Sequence, residues 1–494
     1  MRISRIILGL LYLVSISMSG AAQAEPSGPA AAPRPNFVVF LTDDQGYADL
    51  SSFGHPTIST PRIDQMGREG VRFTSFYAAP VCTPSRAQLL TGRYAVRSGL
   101  VTPYGPGSPV GIRPGEITLA DALKKLGYRT GMLGKWHLGD FPNYPEFNPT
   151  AHGFDFFLGI PYSHDYRAPF VGNAPPVPLF RGTQEIERPV EANTLTKRFT
   201  QEAIRFIRES ASQPFFLFVA YNMPHLPAGS SDDFAGKSRA GRYGDSVEEI
   251  DWSVGQVLDT LKELGLDQKT LTVFFSDNGP WSNASARSFQ EGQTLWDTGS
   301  AGVLRGTKAT TWEGGVRVPA MIRWPGGIPP GQTAMEMASE LDLFPTFVKL
   351  AGGDVAPDRP SDGYDLMPMV SRGAPNPRPE IFYFAATNLQ AVRMGSWKLR
   401  IAPGEAARGG RGGQGAQGGG VGGDGNARGA GVAAPDGPAA ELYNLDKDPG
   451  ERLNVATEHP AIVTRLRARF DEFRQEAAQS AAPYRAAPSG LNDE

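Results

Sequence analysis

The sequence predicts an α/β fold in which a large, mostly parallel central sheet lies between helix layers, with a smaller antiparallel sheet and a helix at the C-terminus. Three observations predict it. Four continuous apolar runs, each ending in polar and reactive residue types, recur between residues 36 and 278. Amphipathic helical stretches lie between them. After about residue 370 the pattern changes to short alternating segments. Strands that are apolar on both faces belong to sheets covered on both sides, and such sheets bind ligands beyond the carboxyl ends of their strands.

The elements follow in order. Arg2 and Arg5 precede a mostly apolar stretch from Ile6 to Met18, and Ala22-Gln23-Ala24 is a small-x-small cleavage site. Residues 1–24 therefore read as an export signal, with an apolar run short of the ~20 residues a membrane span requires. No arginine pair and no cysteine mark the end of the signal, which argues against a twin-arginine route and a lipid anchor. The expected location is periplasmic or secreted, without membrane attachment after cleavage. Asn36–Leu41 runs into Asp43 and Asp44, Tyr128–Leu133 into Lys135 and His137, Phe215–Ala220 into His225, and Leu271–Phe275 into Asp277 and Asn278. Helices are predicted at Leu119–Leu126 before Gly127, at Leu195–Ile207 with Asn193 or Thr194 as N-cap, and at Val247–Leu264 before Gly265. Residues 25–370 form the predicted catalytic domain. In residues 371–494, strands are predicted at 381–384, 390–394, 397–401 and 442–445, with a closing amphipathic helix at 462–477. A Gly- and Ala-rich tract at 403–440 lacks the side chains of a core and reads as a disordered insertion in a hairpin. Lengthening a loop costs only ~0.6 kcal/mol per doubling, so the flanking strands can tolerate it.

The chain has 494 residues, 48 Lys and Arg against 51 Asp and Glu, and a net charge of -3. That balance offers no general basic field for nucleic acid, so any anion site must be a local cluster. The single cysteine, Cys82, cannot form an internal disulfide. It lies in Cys82-Thr83-Pro84-Ser85-Arg86, ahead of the helical run Ala87-Gln88-Leu89-Leu90. A buried thiol acting as a small hydrophobe is the simpler reading. Pro84 at a helix start and Arg86 beside the sulfur instead place Cys82 at a helix N-terminus, where anions are held. Asp43, Asp44, Asp277 and Asn278 are hard oxygen donors on two strand ends and suit calcium or magnesium rather than zinc. Asp-Asp after a single strand also serves as a helix cap or a solvated turn; the matching Asp-Asn after a second strand strengthens the metal reading.

The motif Cys82-x-Pro84-Ser85-Arg86, followed by Thr91-Gly92-Arg93, resembles the sulfatase family. So do Asp43-Asp44, Gly134-Lys135-Trp136-His137, Met223-Pro224-His225, Ser276-Asp277-Asn278-Gly279 and the stretch from Lys308 to Arg317. These blocks cover most of residues 36–330, in the family's order. The resemblance implies an alkaline-phosphatase-like sandwich and hydrolysis of an aryl or carbohydrate sulfate ester. It implies that a formylglycine-generating enzyme oxidises Cys82 to formylglycine (3-oxoalanine). It also implies that Asp43, Asp44, Asp277, Asn278 and the modified residue 82 hold Ca2+, Mg2+ being an alternative. Cys82 as formylglycine is then the nucleophile, fixed by Arg86. His137 is the base for the proton of its second hydroxyl. Lys135, His225 and Lys308 grip the sulfate, with His225 or Lys308 placed to help the leaving oxygen. A hydrated aldehyde has a second hydroxyl with which to expel sulfate, which a serine lacks.

The stretch Gly159-Ile160-Pro161-Tyr162-Ser163-His164-Asp165 resembles arylsulfatase and galactosamine-6-sulfatase members, where a polar residue at the Ser163 position lines the substrate pocket. A simple turn built by Pro161 explains it equally well. Arg317 reads as a structural anchor. The Gly-rich tract departs from the family, which often has a compact turn there. A divalent cation with three aspartates leaves one net negative charge, and Arg86, Lys135 and Lys308 turn that into two positive charges, so the pocket would attract an anion. Two rivals share the fold: a phosphate or phosphonate monoester hydrolase, and an inactive carbohydrate-binding homologue. The first calls for a second set of metal ligands, which the sequence lacks; the second would be missing motif members, and none is missing. The expected partners are a sulfated small molecule or saccharide and the maturation enzyme, with no nucleic acid.

Overall fold

The computed structural model describes residues 34–355, 359, 361–401, 439–478 and 483–486. The predicted export signal and residues 403–438 of the Gly-rich tract lie outside them. The strands in chain order are β1 (Asn36–Thr42), β2 (Val71–Tyr77), β3 (Arg129–Lys135), β4 (Phe156–Ile160), β5 (Leu179–Arg181) and β6 (Gln184–Glu187). They continue as β7 (Phe215–Ala220), β8 (Thr270–Ser276), β9 (Arg317–Arg323), β10 (Gln332–Ala334) and β11 (Ala338–Ser339). Together they form one sheet in the order β10-β2-β9-β8-β1-β7-β3-β4-β5-β6, with β11 also paired to β2. Its centre is parallel: β8, β1, β7, β3 and β4 all run in one direction. The four apolar runs of the sequence are thus four adjacent central strands, and their polar sequels emerge at one edge.

Both faces of this sheet are covered. Phe37, Val39 and Leu41 of β1 enter one core with Ala87, Leu90, Leu119, Leu123 and Phe347. Val38 and Phe40 enter the opposite core with Ile63, Phe199, Ile207, Val254 and Leu258. Alternation along a strand sends successive side chains to opposite faces, and here both faces are apolar because each meets a helix layer.

The helices differ from expectation at their ends. Leu119–Lys125 is closed at its start by a capping box between Thr118 and Asp121, and Gly127 follows in a left-handed conformation. Leu195–Ser210 begins after a short 3-10 turn, and the expected caps at Asn193 and Thr194 are not made. Glu191 accepts the Asn193 N–H instead, since the turn is already wound before the helix begins. The third helix, Gly241–Glu263, starts six residues before Val247 because Tyr243, Asp245 and Ser246 are also buried against the body.

A second sheet, β12 (Glu380–Ala385), β13 (Asn388–Met394), β14 (Trp397–Ile401) and β15 (Ala440–Asn444), is antiparallel throughout. The helix Pro460–Ala478 packs on it through Leu466, Phe470 and Phe473. A buried ion cluster ties this sheet to the large one. Lys398 Nζ lies 2.9 Å from both Glu313 and Glu451 and donates to the Thr311 carbonyl, also at 2.9 Å. Trp312 is held between the guanidinium groups of Arg305 and Arg400, 3.7 and 3.6 Å from its ring centre. The segment gripped in this way carries Lys308.

Candidate active site

The polar sequels are fixed by ties among the strand ends. Asp277 N–H donates to the Thr42 carbonyl (3.0 Å), Asp43 N–H to Met223 (3.2 Å), and Gln45 N–H to the Ser276 hydroxyl (2.9 Å). Lys308 N–H donates to Pro280 and Ala309 N–H to Pro80. Gly134 is required where β3 meets β7, because its φ is +107° and a Cβ there would lie 1.8 Å from the Ala220 carbonyl oxygen. Asp44, His137 and Ala309 adopt positive φ without being glycine. That conformation costs of order 1–3 kcal/mol per residue and concentrates at functional sites.

Cys82 is the first residue of the helix Cys82–Thr91, as the sequence predicts, and it is also buried. Its Sγ lies 3.4 Å from Asp43 Oδ1. Lys135 Nζ reaches Asp43 Oδ2 at 2.5 Å, and Arg86 approaches the same oxygen at 3.6 Å and Asp277 Oδ2 at 3.0 Å. On the other side, Asp44 Oδ2 receives Lys308 Nζ at 2.7 Å and faces His225 Nε2 at 3.4 Å. Asn278 Nδ2 donates to Asp44 Oδ1 at 2.8 Å, and Asp44 N–H donates to Asp277 Oδ1 at 3.1 Å. Ten of the eleven residues singled out in the sequence are therefore joined in one buried cluster or, in the case of His137, bonded to its helix: the His137 carbonyl accepts the Thr83 hydroxyl at 2.8 Å. Ser163, the eleventh, is buried after β4 with an unpartnered hydroxyl and stands apart from the cluster's hydrogen bonds. Arg317 anchors structure, donating to the Thr74 carbonyl beside Glu313.

Burial and charge set the protonation states. Burial raises the Cys82 thiol far above its usual range, and Asp43 adds to the effect, so the unmodified sulfur is a neutral thiol and a poor nucleophile. Burial would raise Asp43, but Lys135 and its neighbouring cations outweigh that and hold it well below the usual carboxylate range. Asp44 is raised, by burial first and despite Lys308. Asp277 is pushed up to about 7 by burial and by Asp43. Lys308 is held well above its usual value because Asp44 overcomes the burial penalty. His137 falls well below its usual value through burial and the nearby Lys135 and Arg86, and neither ring nitrogen has a partner. A neutral imidazole with both nitrogens unpaired offers one N–H donor and one free lone pair.

The clustered donors could hold a metal ion, although the tightest group takes in Cys82 and His225 in place of the predicted Asp277 and Asn278, which adjoin it through Asp44. One ligand atom from each of Asp43, Asp44, Cys82 and His225 lies within 4.8 Å of the others. The Asn278 Oδ1 atom is buried without a partner while its Nδ2 is committed to Asp44 and the Gly279 carbonyl. His225 Nδ1 lies 2.6 Å from the Leu226 carbonyl, which can only accept, so a neutral ring turns an unprotonated Nε2 towards Asp44. Opposed lone pairs and three clustered carboxylates are relieved by a cation.

Sequence reasoning missed several supports. The Ser85 hydroxyl binds the Asp277 carbonyl and accepts the Ala79 N–H at 2.9 Å, and Ala79 N–H also meets buried Glu340 at 3.2 Å. Ser85 was visible in the motif, but nothing marked Glu340. Two aromatic residues were also missed. Tyr166 meets the His137 ring edge-on at 5.6 Å, and Trp281 lies 5.5 Å from the His225 ring with Lys308 Nζ 4.7 Å from its centre.

A parallel sheet carrying this cluster at its strand ends matches known proteins. The sulfatase family model matches residues 35–353, and the model for the C-terminal region of aryl-sulfatase matches residues 376–487. Human arylsulfatase A is 37% identical over 469 residues, covering 89% of this chain and 88% of its own. Mouse N-acetylgalactosamine-6-sulfatase is 41% identical over 413 residues, covering 79% and 75%. The structure of Ps i-CgsB in complex with k-i-k-neocarrahexaose superposes with a TM-score of 0.72 at 27% identity, covering 91% and 95%. The chain belongs to the sulfatase family and is a sulfuric ester hydrolase.

Proposed function

We propose that the protein releases sulfate from an aryl or carbohydrate sulfate ester, using residue 82 as formylglycine and a calcium ion held by Asp43, Asp44, Asp277 and Asn278. The observation that carries this reading is the convergence of Arg86, Lys135 and Lys308 on the buried carboxylates around Cys82. A bound calcium would supply positive charge and lower the proton affinity of an oxygen ligand. The hydrated aldehyde would supply two hydroxyls, one to attack sulfur and one whose deprotonation releases sulfate.

The chain's own residues then divide the work. Arg86 sits one helical turn after residue 82 and orients it while compensating Asp277. Lys135 and Lys308 bring fixed positive charge to opposite sides of the Asp43-Asp44 pair, where charge develops on the sulfuryl oxygens. His137, neutral and unpartnered, takes the proton that permits sulfate release. Lys308 carries the hydrogens that can bond the leaving oxygen, whereas neutral His225 presents a lone pair at Nε2. Ser163 adds a hydroxyl to the pocket wall.

Sulfate monoesters carry one negative charge and phosphate monoesters two. Among the described residues a single group of acidic, His and Cys ligands occurs, and lysines occupy its flanks. That arrangement supports sulfate over phosphate. The solved relative complexed with a neocarrahexaose supports a saccharide substrate. The test is turnover of an aryl sulfate, a sulfated hexosamine and a phosphate monoester by one batch whose residue 82 peptide has been weighed. Sulfate release by protein carrying the aldehyde mass is expected. Equal turnover by protein with an unmodified thiol in every molecule, or a preference for the phosphate ester, would refute the reading.

A further inference from the structure

Trp281 and Tyr166 each pack against a histidine of the cluster. Trp281 comes three residues after Asn278, and its backbone is locked to the Lys308 loop. The Pro280 carbonyl accepts the Lys308 N–H at 2.9 Å, and Ser282 N–H donates to Thr307 Oγ1 at 3.1 Å. The indole borders Lys308, the group proposed to bond the leaving oxygen, at 4.7 Å from Nζ, and lies 5.5 Å from the His225 ring. Tyr166 borders His137 at 5.6 Å and is braced by Tyr162 at 5.8 Å. A Cβ on Gly105 would lie 2.5 Å from the Tyr166 ring, so backbone backs the phenol as well. Both aromatic side chains are half-buried, whereas His137 and His225 beneath them are buried. Next to Tyr166, Asp165 Oδ1 and Ser163 Oγ are buried without partners. Rigid aromatic faces with unpaired oxygen atoms beside them suit a ring, whose faces stack and whose substituents bond at the edge.

We propose that Trp281 and Tyr166 are the walls of a subsite for the alcohol half, and that the protein selects sulfate esters borne on or beside a six-membered ring over linear esters. This rests on the sulfatase reading above. The shared chemistry is a flat ring face, available from an arene or a pyranose.

The test compares wild type, Trp281→Ala, Trp281→Phe and Tyr166→Leu on 4-nitrophenyl sulfate, N-acetylgalactosamine 6-sulfate and propyl sulfate. Inhibition by inorganic sulfate reads the sulfate pocket alone. Trp281→Ala should lower kcat/KM for ring esters about tenfold, with propyl sulfate and the sulfate inhibition constant within about twofold of wild type. Trp281→Phe should recover most of the loss, and Tyr166→Leu should show the same ring dependence. A loss confined to the nitrophenyl ester identifies an arene subsite, and a loss confined to the hexosamine identifies a sugar subsite. Equal losses on all three esters, or weakened sulfate inhibition, would mean that Trp281 acts by holding Lys308, and would overturn the subsite. Failure of modified wild type on every sulfate ester would instead overturn the catalytic reading and the subsite with it.

Discussion

Asp277 offers a perturbation whose size follows from its surroundings. Burial and Asp43 raise its carboxyl from 3.8 to about 7, against the opposing pull of Arg86 and Lys135. In metal-free protein the folded state therefore holds a proton that the unfolded chain has released. Stability from this source is complete below pH 3.8 and is lost as pH rises towards 7. At 1.36 kcal/mol per pH unit, and with the carboxyl half titrated at pH 7, the two units between pH 5 and 7 amount to about 2 kcal/mol. Unfolding entropy is about 2.1 cal/mol/K per residue. For a 494-residue chain this gives roughly 1 kcal/mol/K, and hence a Tm change of about 2 °C. Asp49, raised to about 6, and Asp251, raised to about 7, contribute with the same sign, so the informative quantity is the difference between wild type and Asp277→Asn. Melting curves in chelator at pH 5, 6, 7 and 8 should show the wild type losing stability more steeply than the variant. Added calcium should restore the wild type most at pH 7–8, while the variant, though folded, should lose turnover. Parallel Tm profiles for the two proteins in chelator would show that Asp277 carries no such charge penalty and would remove the electrostatic case for a cation beside it.

Two other variants test the base and the backbone. His137→Ala should slow sulfate release by about 10²- to 10⁴-fold while leaving the first release of alcohol largely intact; rapid-quench measurement should show an alcohol burst, and a parallel fall in both products would exclude the assigned role. Gly134→Ala forces a Cβ to within 1.8 Å of the Ala220 oxygen at a φ of +107°, so β3 and β7 must separate beside Lys135. A loss of about 4 kcal/mol or more is expected, seen as insoluble protein or a collapsed denaturant midpoint; a soluble variant with wild-type stability would contradict the close packing.

The central strands were legible because they combine apolar continuity with abrupt polar ends. Val38 and Val39 both read as buried, and they are buried on opposite faces. Strand β9, antiparallel to both neighbours, was not legible: its place between β8 and β2 is set by pairings over long sequence separations. At the site, residue types with one chemical purpose stood out, as with Asp43, Lys135 and Cys82. Glu340 and Trp281 did not, because an isolated acid or indole has many ordinary uses. Only their positions, under Ala79 and beside Lys308, distinguish them. The cap of Leu195–Ser210 was misplaced for a related reason: Thr194 has the right chemistry, but its hydroxyl already serves the Glu191 carbonyl within the preceding turn.

The ion cluster at Lys398 makes the second sheet an organ of the first. Glu313, held down to about 2 by Lys398 and Arg393 against its burial, begins the short helix that leads into β9. The loop before it ends in Trp312, gripped by Arg400 from β14 and Arg305. A fragment ending before residue 380 would lose Lys398 and Arg393, the cations that do most to hold Glu313 ionised, and would leave it Arg317 and the Tyr77 hydroxyl. It would also free the segment that aims Lys308. Chimaeras that exchange substrate-binding loops among relatives must therefore transplant β14, Glu451 and the 305–316 segment as one inheritance.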